Sequence, residues 1–256
     1  MQKLKIIYEN ENLLVVDKPA GMVCFPATRQ DVAEGELRQR QEPHQKRERK
    51  TTEKTLIDNL IETYTILKNI GKSPRYGIVH RLDKDTSGIL LVAKNNKTLD
   101  YLQKQFQQRK VIKKYLALIV GNLKNNQGKI ETLIGRAQKD RRKQKIYLPF
   151  EPKSAGKRKA ITKYHILKKF KNYSLINVEP LTGRKHQIRT HLSYINHPIA
   201  GDKLYGFKNQ PCPKGLKRQF LHANYLKIKL PNGKEKEFKS GLPEDLKRIL
   251  DNLKNN

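Results

Sequence analysis

No part of this sequence keeps apolar residues together for long. The longest such runs, residues 89–93 and 116–120, hold five residues each, far below the ~20 that a membrane-crossing helix requires. A core must therefore be assembled from many short elements. Ile6-Ile7-Tyr8 and Leu13-Leu14-Val15-Val16 flank Glu9-Asn10-Glu11-Asn12, a polar stretch of hairpin-loop length. Asp17-Lys18-Pro19-Ala20-Gly21 then punctuates the strand end. The spacing of Leu56, Leu60, Ile61 and Tyr64 predicts a helix over 55–69, and Leu99, Leu102 and Phe106 predict another over 98–108. Extended segments are expected at 88–93, 111–120, 130–134, 161–167 and 173–178, with a helix at 184–195. A late hairpin turns at Pro231-Asn232-Gly233, and Pro243 opens a final helix whose apolar face is Leu246, Ile249, Leu250 and Leu253. Strands outnumber helices and do not alternate regularly with them. The expected class is α+β, a mixed, mainly antiparallel central sheet flanked by helices and loops.

Charge narrows the partner. Across 256 residues, 55 Lys and Arg face 24 Asp and Glu, a formal net charge of +31, while only 36% of residues are hydrophobic. A compact chain tolerates such self-repulsion most readily when it meets a polyanion. Met1-Gln2-Lys3-Leu4-Lys5 has no signal-peptide character, and Cys24 and Cys212 stand alone without a CxxC pattern. A cytoplasmic protein with a nucleic-acid partner is expected, with no membrane association, disulfide framework or zinc site. Residues 29–54 carry mixed-sign charge and almost nothing to bury. They are expected to form a flexible insertion, either a solvated loop or an RNA-touching arm.

Three segments could carry chemistry. In His80-Arg81-Leu82-Asp83-Lys84-Asp85-Thr86-Ser87-Gly88, two carboxylates lie among basic groups directly before an apolar strand. Nearby cations favour the charged carboxylate, which suits a nucleophile; a charged turn is the plainer reading. In Leu181-Thr182-Gly183-Arg184-Lys185-His186-Gln187-Ile188-Arg189-Thr190-His191-Leu192, a helix would place Lys185 and Arg189 on one face and Ile188 and Leu192 inward. Its two histidines are five apart, not the four of a helical metal pair, so they read as hydrogen-bonding or packing residues. In Lys113-Lys114-Tyr115-Leu116-Ala117, Tyr115 either stacks on a base or plugs the core.

Together these strings resemble the RluA-type RNA pseudouridine synthases. The resemblance runs in family order through Asp17-Lys18-Pro19-Ala20-Gly21 with Pro26, the 80–88 string, and Lys114-Tyr115-Leu116-Ala117 with Gly121. It continues through Thr182-Gly183-Arg184-Lys185-His186-Gln187-Ile188-Arg189, His197-Pro198-Ile199-Ala200-Gly201-Asp202, and His222-Ala223. It departs from the family in the long 29–54 stretch and at Lys185 and Thr190. The resemblance implies a pseudouridine synthase fold with residues 1–256 as one catalytic domain and no separate N-terminal RNA-binding domain. It implies isomerisation of uridine in ribosomal or transfer RNA to pseudouridine. Asp83 would be the catalytic carboxylate, attacking the ribose or assisting elimination. Arg81 would fill the space left by the flipped base, Tyr115 would pack on that base and is a candidate for later proton removal, and Arg189 would pair with Asp83. Ile188 and Leu221 would be apolar walls, and Asp85 a loop-building residue.

No redox step or hydrolytic water is needed, so no cofactor or metal is expected, nor an obligatory protein partner; a monomer is the expected state. Two other classes compete. A metal-dependent nuclease would use Asp83 and Asp85 as magnesium ligands but needs further converging carboxylates. A catalytically silent RNA-binding protein would need only the charge. The intact Asp, Tyr and Arg motif set favours the synthase.

Overall fold

The computed structural model describes residues 4–26, 54–151 and 153–254; the stretch expected as an insertion at 29–54 lies, except for Lys54, outside the described residues. The chain begins with a hairpin of β1 (Lys5–Glu9) and β2 (Leu13–Lys18). Its turn is set by Asn10, whose Oδ1 accepts from the backbone N–H groups of Asn12 and Leu13 at 3.0 and 2.8 Å. Helix α1 (Leu56–Thr63) starts at Thr55, which forms a reciprocal capping box with Asp58. The helix expected over 55–69 stops at Tyr64, and Thr65–Asn69 tightens to a 3-10 turn. Thr63, Thr65 and Ile66 are β-branched and weak in a helix. The Tyr64 hydroxyl also leaves the helix to donate to the Glu9 carboxylate at 2.8 Å.

Strand β3 (Ser87–Ala93) is buried throughout, and α2 (Asn96–Gln107) follows it behind an Asn95 cap. Next come β4 (Ile112–Val120), β5 (Gln127–Arg136), β6 (Gln144–Tyr147), β7 (Arg158–Lys169) and β8 (Tyr173–Pro180). Helix α3 (Gln187–Tyr194), β9 (Leu221–Lys229), β10 (Glu235–Lys239) and α4 (Glu244–Lys254) complete the order. Strand β6 was not anticipated: four residues inside a charged stretch are too short to show a period-2 pattern.

The strands form one sheet in the order β1-β2-β3-β9-β4-β8-β7-β5-β6, with β10 also pairing β9. All named pairings are antiparallel except β3 with β9. The α+β expectation with a mainly antiparallel mixed sheet therefore holds. One core lies around β2, β3, α1 and α2, and a second around β4, β8, α3 and α4. Strand β9 serves both, giving Ala223, Leu226 and Ile228 to the first and Leu221 to the second. The seam between the cores is where β3 and β9 meet, through Ser87↔His222 and Gly88↔Ala223.

Gly88 makes that seam possible. Its φ is +118°, and a Cβ there would stand 2.3 Å from the Ala223 carbonyl oxygen. Gly88→Ala should therefore cost about 2 kcal/mol or more, from backbone strain and clash together. Urea unfolding of the two proteins checks this; a cost below ~0.5 kcal/mol would mean that β9 shifts freely at this point.

Candidate active site

The 80–88 segment enters β3 as a loop gripped from both directions of the chain. Lys18 is fully buried, and its Nζ donates to the carbonyls of Pro19, Met22 and Lys84 at 2.7, 2.8 and 3.0 Å. Burial pushes its pKa down to about 8, while the charges of Asp85 and Asp83 work in the other direction. The thiol of Cys24 donates to the Leu82 carbonyl and accepts from the Leu82 N–H, both at 3.4 Å. From the C-terminal side, Arg218 Nη1 donates to the Asp85 carbonyl at 3.1 Å and Gln219 Nε2 to Thr86 Oγ1 at 2.8 Å. The Thr86 N–H closes a turn on the Asp83 carbonyl at 3.1 Å. Neighbours on both sides of Asp83 are fixed, so the direction of its side chain is fixed as well.

The Asp83 carboxylate meets Arg189, whose Nη1 donates to its Oδ2 at 3.1 Å. The same guanidinium uses Nε and Nη2 on Asp202, at 2.7 and 2.9 Å, as a two-pronged clamp. Asp202 also accepts at Oδ1 from the N–H groups of Leu204 and Tyr205, at 2.9 and 3.0 Å. Burial opposes the Arg189 charge, but the bonds and charges of Asp202 and Asp83 outweigh it and raise its pKa above the ordinary value. Burial likewise works against the Asp202 charge, yet its bonds to Arg189 leave its pKa below the carboxylate norm. His186 Nε2 lies 3.8 Å from Asp83 Oδ1, while Nδ1 shares a hydrogen bond with the Tyr205 hydroxyl at 2.9 Å. Burial lowers His186 to about 4, so the ring stays neutral near pH 7.

These groups line a cleft of about 990 Å³ in which Asp83 is the one carboxylate among the described residues, facing nine Lys and Arg. Tyr115 is in its wall. Strands β4 and β9 slip register between Lys114 and Leu116, where Ala223 and Asn224 of β9 together face Tyr115 of β4. Burial first, and the charge of Asp83 second, raise the Tyr115 pKa, so it remains a phenol at neutral pH. Ile188 and Leu221 are buried apolar walls of the same cleft. Arg81 also lines it, exposed, with its guanidinium 5.2 Å from the Phe25 ring centroid. Lys113 lines the same space and is brought down to about 8 by burial. Asp85 is exposed and does not line the cleft. Among the described residues, no group of three or more His, Cys, Asp or Glu could hold a metal ion.

Helix α3 begins later than the 184–195 expectation because His186 takes a left-handed φ of +53° immediately before it. Gln187 pins that start, accepting at Oε1 from Thr182 Oγ1 and the Arg184 N–H and donating from Nε2 to Ile161 O and Thr162 Oγ1, all at 2.7–3.0 Å. His191, fully buried, shares hydrogen bonds with Thr162 and Thr132. The roles of Asp202 and Lys18 were missed by sequence reasoning; His186 hydrogen-bonds as expected, but its place beside Asp83 was not anticipated. A signal existed for Asp202, a single acid closing the otherwise apolar and small Ile199-Ala200-Gly201 run.

A family model described as RNA pseudouridylate synthase matches residues 12–194. The chain is 37% identical over 254 residues to the uncharacterized RNA pseudouridine synthase YlyB of Bacillus subtilis, covering 99% of this chain and 74% of that protein. It is 35% identical to ribosomal large subunit pseudouridine synthase D of Borreliella burgdorferi, over 98% of this chain and 68% of the relative. The solved structure of human RNA pseudouridylate synthase domain containing 1 superposes with a TM-score of 0.67 at 25% identity, covering 100% and 96% of the two chains. Among the described residues, no helix is long and apolar enough to cross a membrane.

The clamp on Arg189 has a testable pH signature. Breaking a buried pair from one side costs ~3–5 kcal/mol, so Asp202→Ala should lose about that much at pH 7. Because the folded pKa of Asp202 is depressed, its contribution is complete above the unfolded value of ~4 and disappears as pH falls through the folded value. The stability gap between parent and variant, read from urea melts, should be constant from pH 7 to about 5 and shrink below 4. A gap independent of pH down to 3 would show that the lost packing, and not the charge, is responsible.

Proposed function

The chain belongs to the RNA pseudouridylate synthase family, and from that premise we propose that it isomerises specific uridines in structured RNA, ribosomal or transfer RNA, with Asp83 as the catalytic carboxylate. The observation that carries the reading is the one carboxylate among the described lining residues, held by a buried guanidinium in a cleft that also presents nine Lys and Arg. In the isomerisation the N1–C1′ bond breaks, the uracil turns, and C5 bonds to C1′; the proton on C5 is lost and N1 gains one. Cleavage builds positive charge on the sugar, and a fixed carboxylate stabilises it. Asp83 serves the ribose either as a nucleophile at C1′ or as the base of an elimination.

A stacked uridine cannot bring its sugar to Asp83, so the nucleotide is extruded at a cost of a few kcal/mol. Arg81, exposed beside Phe25 at the cleft, fills the vacated position in the RNA. Tyr115 packs on the everted base between the apolar walls of Ile188 and Leu221. Its raised pKa keeps it a phenol at neutral pH, so removal of the C5 proton by Tyr115 would require it to be deprotonated first. The surrounding lysines and arginines take phosphates. The proposed setting is the cytoplasm, and the proposed working form is a monomer acting as one catalytic unit.

Asp83→Asn keeps the shape and removes the charge. It should abolish pseudouridine formation in unmodified RNA, read by mass spectrometry of digested RNA, while leaving RNA affinity within about twofold of the parent. Substantial turnover by this variant would reject Asp83 as the catalytic group, and a parent that binds RNA without making pseudouridine would reduce the protein to an RNA binder. Affinity should fall steeply with salt, since each phosphate neutralised releases counterions and adds to the slope. A flat salt response would contradict the phosphate contacts.

A further inference from the structure

Far from Asp83 in sequence, β5, β6 and the loops around them form an arm at one end of the sheet order. Residues 136–159 carry ten Lys and Arg against Asp140 and Glu151. Asp140 is consumed locally, its carboxylate taking Arg142 Nε and Nη2 at 3.0 and 2.9 Å. Two aromatics three residues apart then behave in opposite ways. Tyr147 is 2% exposed, its hydroxyl donating to the Arg136 carbonyl at 3.0 Å and its ring flanked by Lys145 and Lys157. Phe150 is 96% exposed and Leu148 44% exposed, so Leu148-Pro149-Phe150 makes an apolar tip on a cationic arm.

That tip is held by its own bonds. The Glu151 N–H donates to Leu148 O, the Ser154 N–H to Glu151 O and the Lys157 N–H to Ser154 O, all at 2.9–3.0 Å. Ser154 Oγ donates to the Pro149 carbonyl at 3.0 Å, and Lys153 Nζ to Gln138 Oε1 at 3.3 Å ties the tip to the neighbouring turn. A loop so braced gives up little entropy when its side chain is covered. The root of the arm is also the wall of the catalytic cleft, through Arg136, Lys157 and Arg158. The charge of the whole chain disfavours a second copy as the cover, whereas an aromatic face among cations suits an unpaired base between phosphates.

We propose that the 137–157 arm is a second RNA-binding element, in which Phe150 stacks on an unpaired base outside the catalytic cleft while adjacent lysines and arginines hold the flanking phosphates. This rests on RNA as the substrate and extends it from one flipped nucleotide to a second, stacked one. The test uses the full chain, a single-stranded oligomer of adenosines carrying one 2-aminopurine, and a duplex RNA of equal length. Phe150→Ala should weaken the single strand about tenfold, within the range of one stacked base, and relieve the quenching of 2-aminopurine fluorescence. Phe150→Trp should retain both, and duplex affinity should be unchanged in either variant. Parent-like affinity and quenching in Phe150→Ala, a loss in Phe150→Trp as well, or an equal loss on duplex would overturn the proposal. Neither readout depends on turnover. A parent that quenches but makes no pseudouridine would defeat the enzymatic reading alone, and an active parent indifferent to Phe150 would defeat this one alone.

Discussion

One guanidinium joins three distant parts of the chain. Arg189 is almost wholly buried, and removing such a group from water is costly unless every donor finds good geometry. Asp202 supplies that geometry by taking two of its nitrogens, and backbone N–H groups hold Asp202 in turn. What remains is Nη1, whose direction is then set, and Asp83 lies on its line at 3.1 Å. The cleft carboxylate is therefore held twice, by this guanidinium at its oxygen and by the bonds of Lys18, Cys24, Arg218 and Gln219 to its loop.

The same economy governs the backbone. Strand β9 contributes to both cores, and its parallel contact with β3 lasts for only two residue pairs before β10 takes over its edge. The cleft forms where this regular pairing fails. The register slip of β9 opposite Tyr115, the left-handed turn at His186 and the loop ahead of β3 all border the cleft. Regular ladders leave no room for a substrate because each backbone group already has a partner; irregular segments held from outside provide it.

Much of this was legible in the sequence, and the remainder follows a pattern. Buried strands such as β3 declare themselves as short apolar runs, and amphipathic helices such as α1 by the stripe of Leu56, Leu60, Ile61 and Tyr64. The ordered strings marked Asp83, Tyr115 and Arg189, and the structure brings these residues to one cleft. Asp202, Lys18 and His186 were not legible as site residues. Their roles come from pairing across 13, 66 and 103 positions, and such partners leave no local period. The break at Tyr64 escaped for the same reason, because its hydroxyl answers to Glu9, 55 residues away. Local chemistry writes elements into sequence; the contacts that aim a side chain are decided only when the elements meet.

The electrostatics of the cleft then raise a difficulty that the arrangement resolves. A lone carboxylate among nine cations is in danger of being fully paired, and a fully paired carboxylate has little left to offer a sugar. Two features prevent that. Arg189 arrives with its charge already opposed by Asp202, so the cluster holds two carboxylates for one guanidinium. His186, a second basic group beside Asp83, is kept neutral by burial at 3.8 Å from Oδ1. Were that ring charged, it would compete for the second oxygen; neutral, it leaves Oδ1 with no charged partner within ion-pair distance among the described residues. In the proposed reaction, that is the oxygen that would face the positive charge building on the ribose. The cations of the cleft and the Asp83 carboxylate are thus kept distinct because the buried Asp202 carboxylate takes most of the Arg189 guanidinium.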